Sequence, residues 1–202
     1  DFCLSRGLGD VYKRQGYMIT KYLTDHGHKN IVGVFKADDM QGQSRHKGYV
    51  RALQEAEILY DPDKVVWFHT EDRKIHPYEA IREMAGKTLR GRMDAVVCYN
   101  DQTAQLVIRA LQEEGLRIPE DVSVLGFDNV SLSSMVEPPL STVAQPLYDM
   151  GAVAAKNLIH QIRYKEKNGE LPPPVRNVLG VDLIDVSYTH LRAHETGRNL
   201  VC

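Results

Sequence analysis

Four polar side chains carry most of the chemistry this sequence offers: Arg45, Asn100, Asp128 and Gln145. Asn100, with Asp101 after it, closes the apolar run Ala95-Val96-Val97-Cys98-Tyr99. Asp128 and Asn129 close a second run, Val122 to Phe127. Arg45 falls in the first turn of the helix expected after a third run, Ile31 to Phe35, and Gln145 follows Ser141-Thr142-Val143-Ala144. A guanidinium forks two hydrogen bonds to neighbouring hydroxyls, a carboxylate accepts two in return, and an amide offers donor and acceptor together. That set suits a polyhydroxylated ligand. Singly, each residue is an ordinary turn or cap; their joint placement behind strands points to a binding site. Phe35, Trp67, Phe68 and Phe127 could stack on a sugar ring, but core packing is the stronger claim on each.

Other chemistries find little support. Neither GxGxxG after a strand nor GxxxxGK[ST] occurs, so both phosphate cradles are missing and no cofactor is expected. Asp38-Asp39 reads as a pair of loop caps, and His26 and His28, flanking Gly27, as surface caps at a helix end rather than metal ligands. Ser131, Ser133 and Ser134 lack a nearby His or a Gly-x-Ser-x-Gly elbow, so a hydrolase is not expected. The chain reads as a binding module, not an enzyme.

Alternating helical and extended segments must position the four residues. Helices are expected over 16–26, 42–57, 77–89, from Asp101 (its N-cap) to Gly115, and 147–163. Strands are expected at 31–35, 65–68, 95–99, 122–127 and, after the stiff Pro172-Pro173-Pro174 linker, 176–184. This alternation predicts an α/β fold: a doubly wound parallel sheet with helices on both faces, every strand's C-terminal end on one edge. The four residues all belong to that edge or to the loop opposite it.

The two ends read as foreign. DVYKRQ, at 10–15, and VSYTHL, at 186–191, resemble reading frames from complementary strands of one sequencing-library DNA end. Residues 1–15 and 186–202 are therefore expected to be artefact tails around a domain at 16–185. Two of the three cysteines lie in those tails, leaving Cys98 alone. A single thiol fits a reducing, cytoplasmic setting. The net charge of −2 argues against a nucleic-acid surface on this chain. No apolar run reaches the length of a membrane span, so no membrane partner is expected.

Three strings, in order, resemble the lactose/galactose repressor family: GYMITKYLTDHGHKNIVGVF, VCYNDQTAQLVIRALQEEGLRIPEDVSVLGFDNV at 97–130, and EPPLSTVAQPLYDMGAVAAKNLI at 137–159. GVFKADDMQGQSRHKG at 33–48, with CYND, further resembles the arabinose repressors, which join this effector domain to a winged-helix (GntR-type) DNA-binding head. The resemblance implies a periplasmic-binding-protein-like type I fold, of which 16–185 supplies mainly the C-terminal lobe plus crossing segments. It implies a small-molecule sugar effector held by Arg45, Asn100, Asp128 and Gln145, and operator DNA bound through a domain outside this chain. It also implies a homodimer using Gln105 to Glu113 and Leu132 to Glu137. Asn129 departs from the family's usual second Asp. With the other lobe outside the chain, the apolar face of the helix at 147–163 is expected to lie uncovered. An exported sugar-binding protein of a transport system shares the fold and is the alternative; a signal peptide would mark it.

Overall fold

The computed structural model describes residues 2–88, 93–130, 139–175, 177 and 179–184, with side chains described from residue 11 and not at 87 or 88. Six strands form one sheet in the order β2-β1-β3-β4-β5-β6. They are β1 (Ile31–Lys36), β2 (Val65–Phe68), β3 (Ala95–Cys98), β4 (Ser123–Phe127), β5 (Ser141–Ala144) and β6 (Asp182–Ile184). The first five pair in parallel, with central registers such as Val97 against Leu125 and Phe127 against Val143. β1, β3 and β4 are buried along nearly their whole length, which is why they read as continuous Val/Ile/Leu runs rather than alternations.

Helices cover both faces. α1 (Phe2–Asp25) and α2 (Met40–Glu55) pack on one side, where Ile19, Leu23, Phe35, Tyr49, Leu125 and Phe127 share a core. On the other, α3 (His76–Glu83) and α4 (Asp101–Glu113) enclose Val34, Phe68, Ile81, Val96, Val107 and Leu111. α1 and α2 meet backbone to backbone: a Cβ on Gly48 would lie 2.0 Å from the Lys13 carbonyl oxygen, and one on Gly16 2.0 Å from that of Arg45. Glycine at 16 and 48 therefore sets how deeply Arg45 is seated.

Several expectations need correction. β6 is antiparallel to β5 and only three residues long, so the sheet is mixed at that edge, and of the strand expected at 176–184 the described residues 177 and 179–181 are irregular. The helix expected at 77–89 gives way after Glu83 to a π-helical turn, Met84–Thr88. α2 starts at Met40, because Asp39 caps it by accepting the Gly42 amide at 2.7 Å, which moves Arg45 to the second turn. The N-cap of α4 is Asn100, not Asp101. The tail boundaries are not among these corrections: α1 is helical across residue 16, which leaves the origin of 1–15 untouched, and 186–202 lies outside the described residues.

α5 (Leu147–Asn168) has no buried residue, and Leu147, Tyr148, Leu158, Ile159 and Ile162 are exposed. Among the described residues nothing buries its apolar face, as the resemblance implied. A helix held by its own hydrogen bonds alone opens far more easily than a packed one. Amide hydrogen exchange should therefore be orders of magnitude faster in α5 than in α4. Equal protection would show that something covers this face in solution.

Candidate functional site

Arg45 is completely buried, an unusual position for a cation. Its guanidinium lies over the Phe127 ring at 4.3 Å, with the Tyr99 and Tyr12 rings at 5.3 and 5.4 Å. Weakly hydrated and planar, guanidinium stacks on aromatic faces where an ammonium would lose more hydration. All three guanidinium nitrogens donate. Nη1 donates to the Tyr99 carbonyl at 2.7 Å, Nε and Nη2 donate to the Gln15 side-chain oxygen at 3.2 and 3.1 Å, and Nη2 reaches Asp128 Oδ1 at 3.2 Å.

Asp128 follows β4 and is one-third exposed. The same Oδ1 that meets Arg45 accepts from Gln145 Nε2 at 2.8 Å. Arg45 from α2, Asp128 from the turn after β4 and Gln145 from the segment after β5 thus converge at the C-terminal edge of the sheet. Asn100 stands on the same edge, directly after Tyr99, but its side-chain oxygen caps α4, accepting from the Thr103 amide and hydroxyl at 2.9 Å each. Only its amide hydrogens are left for a ligand.

Position along the chain did not disclose the rest of the site. The buried Gln15, placed by sequence in a tail, fills the Arg45 fork with a neutral oxygen, and its Nε2 has no hydrogen-bond partner. A ligand hydroxyl would present a similar neutral oxygen to that fork. Tyr99 donates its phenol to Asp39 at 2.6 Å; burial first, and that carboxylate next, push its pKa up, so it remains a protonated donor. Of the aromatics considered for ring stacking, Phe35, Phe68 and Phe127 are core residues. Trp67, half-buried, packs on His46 instead.

The Asp38-Asp39 pair caps loops: Asp38 accepts the Thr70 hydroxyl and amide, which hold its carboxyl down at about 2. His28, expected as a surface cap, is buried, with Nε2 at 3.4 Å from Ser123 Oγ and Nδ1 at 3.5 Å from Asp94. This Ser-His-Asp alignment sits at the opposite, N-terminal edge of the sheet with Ser123 sealed from solvent. Burial alone would raise the Asp94 carboxyl, but His28 and the amides of Lys29 and Asn30 together hold it below its usual value. It ties three strand entries together. Among the described residues, no three His, Cys, Asp or Glu side chains are grouped to hold a metal ion. The serines at 131, 133 and 134 lie outside the described residues.

Beside the site, His46 is ringed by Trp67, Phe35, Tyr60 and Tyr49 at centroid distances of 4.8 to 6.1 Å. Burial, then Lys47, depress its pKa. The unfolded chain therefore binds a proton that the fold resists. Stability should be intact above the ordinary imidazole value of about 6.5 and should fall with pH from there down through the lowered folded value. A denaturation series from pH 8 to 5 on wild type and His46→Gln checks this; the histidine-specific slope should vanish in the variant.

The periplasmic binding protein-like domain family matches residues 20–184. The chain is 35% identical over 158 residues to an arabinose metabolism transcriptional repressor of Geobacillus stearothermophilus, covering 77% of this chain and 43% of that protein. It is 38% identical over 157 residues to the HTH-type transcriptional repressor PurR of Pasteurella multocida, covering 75% of this chain and 45% of that protein. The chain thus spans less than half the length of these curated relatives. Among solved structures it resembles a transcriptional regulator CelR–cellobiose complex, with TM-score 0.76 and 31% identity over 87% of this chain and 51% of that one. No helix among the described residues is long and apolar enough to cross a membrane.

Proposed function

The chain belongs to the periplasmic binding protein-like domain family, in the form that LacI-family regulators carry as their effector-binding domain, and on that premise we propose that it senses a sugar for a bacterial transcriptional repressor. The effector is L-arabinose or a related sugar, bound by Arg45, Asn100, Asp128 and Gln145. The observation that carries this reading is the fully buried Arg45 fork, which meets Asp128, itself bonded by Gln145, at the sheet edge where ligands of such folds bind. Arg45 and Asp128 together supply donors and acceptors for adjacent hydroxyls.

The native unit is 16–185, a reading supported by the family match over 20–184. A second lobe and a DNA-binding head lie outside this chain, and the uncovered face of α5 is consistent with such a lobe. Sugar shifts the balance between two lobe arrangements, by as much as its affinity for the two differs. That shift changes the spacing of paired DNA-reading heads in a homodimer. The dimer contact uses the outward side of α4 within Gln105–Glu113, where Arg109, Gln112 and Glu113 are exposed. The Leu132–Glu137 part of that contact lies outside the described residues. A repressor acting on chromosomal operators works in the cytoplasm, and no catalytic step is assigned to the site.

The test is calorimetry on the complete gene product, titrated with L-arabinose and then with other pentoses, hexoses and phosphorylated sugars. Saturable arabinose binding supports the full reading. Binding of another sugar alone keeps the sensor and discards arabinose. A folded protein that binds none of them overturns the proposal.

A further inference from the structure

The turn that presents Asp128 is built in an unfavourable backbone conformation. Asp128 has φ +95° and Asn129 φ +48°, the left-handed region that side chains other than Gly and Asn rarely occupy. Asn at 129 suits such a position; Asp128, at +95°, is the outlier, and outliers of this kind persist only where surrounding contacts over-determine them.

Those contacts are three consecutive amides, each tied down. The Asp128 N–H donates to the Val143 carbonyl of β5 at 3.0 Å. The Asn129 N–H donates to Thr142 Oγ1 at 3.2 Å. The Val130 N–H donates to Asp101 Oδ2 at 3.0 Å. Asp101 and Thr142 are themselves joined, since the Thr142 hydroxyl donates to Asp101 Oδ1 at 2.7 Å. Asp101 is fully buried and Thr142 nearly so. A carboxylate can only accept, so the Thr142 hydrogen must point at Asp101, leaving its lone pairs for the Asn129 amide. The relay has one polarity. Room for it comes from Gly126, where a Cβ would lie 2.3 Å from Asp101 Oδ1.

We propose that Asp101 and Thr142 are positioning residues: they hold the Asp128–Asn129 turn in its positive-φ conformation and so set the Asp128 carboxylate between Arg45 and Gln145. It is Asp128 that bonds the guanidinium and the Gln145 amide. Their effect on effector affinity rests on the sugar-sensor reading above; their effect on the turn does not. Because Thr142 and Val143 belong to the strand that leads to Gln145, the same clamp ties the acidic turn to the segment that carries its amide partner.

The experiment compares Thr142→Val, which keeps shape and removes both hydrogen bonds, with Thr142→Ser, which restores them. Asp101→Asn is the second disruptive variant, should Thr142→Val not fold, and Val107→Ala on α4 is the control for general destabilisation. Each is made in the complete gene product and checked by thermal melting. In the unliganded protein, amide exchange at Asn129 and Val130 should quicken at least tenfold in Thr142→Val, stay near wild type in Thr142→Ser, and be unmoved in Val107→Ala. L-arabinose affinity, by calorimetry, should fall tenfold or more in Thr142→Val and recover in Thr142→Ser. Wild-type exchange at both amides in Thr142→Val, or in Asp101→Asn, overturns the proposal. So does undiminished arabinose affinity in a variant whose turn has loosened. If wild type binds no arabinose, the sugar reading fails alone, and the exchange result still decides the clamp.

Discussion

Replacing Arg45 with alanine is expected to weaken effector binding by a hundredfold or more and to cost the fold about 3 kcal/mol. The binding figure follows from losing two charge-assisted hydrogen bonds, each worth about 1.5–3 kcal/mol, where every 1.4 kcal/mol is a factor of ten. The stability figure starts from the roughly 3–5 kcal/mol typical of breaking a buried ion pair. It is set at the low end because Asp128, 34% exposed, can rehydrate once its partner is gone. The Tyr99 carbonyl also loses its 2.7 Å donor. Arg45→Lys separates charge from geometry: an ammonium keeps the charge and loses the planar fork that bridges Tyr99 and Asp128. It should fold better than the alanine variant and still bind at least tenfold more weakly. Calorimetry with urea denaturation measures both effects, and unchanged affinity in either variant would remove Arg45 from the site.

The strands and helices could be read from the sequence because each follows from local pattern. The mainly apolar runs at 31–35, 65–68, 95–99 and 122–127 are too short for helices and read as strands, which fall within a residue or so of the observed ones. Gly27 and Gly115 stop their helices at φ +86° and +79°, where a side chain would be strained. From strand ends alone, Asn100 and Asp128 could be placed on one edge; that the stretch before Gln145 is itself a strand, the fifth parallel one, was not read from the sequence. Arg45 became a candidate by lying on the helix after β1, and the structure brings it to Asp128 across 83 residues.

What could not be read rests on contacts with no local signal. Asp101 immediately precedes a helical pattern, so a cap was the natural reading; Asn100 takes the cap and frees Asp101 for Thr142, 41 residues away. His28 next to Gly27 looked like a surface cap, yet it is buried against Ser123, 95 residues on. Gln15 entered the site only because α1 continues past the boundary that the DVYKRQ string suggested. β6 pairs antiparallel with β5, and no periodicity in three residues encodes direction.

Phe127→Ala should be the most damaging single change to the fold, costing about 3–5 kcal/mol out of the roughly 5–15 kcal/mol a domain possesses. The ring is completely buried, in a core shared with Ile19, Leu125 and Val143, and it is the closest of the three aromatic faces under Arg45. Two roles are superposed there, filling volume and supporting a buried cation. Phe127→Leu separates them. Leucine conserves most of the volume, so its packing cost should stay below about 1.5 kcal/mol. It has no π face, so it forfeits a desolvated cation–π contact worth up to about 2 kcal/mol. If the ring holds the fork, Phe127→Leu will fold cooperatively and bind effector roughly tenfold more weakly, because the guanidinium is free to tilt away from Asp128. If the ring only fills space, the leucine variant will bind as wild type does. In that case the placement of Arg45 rests on its hydrogen bonds to Tyr99 and Asp128.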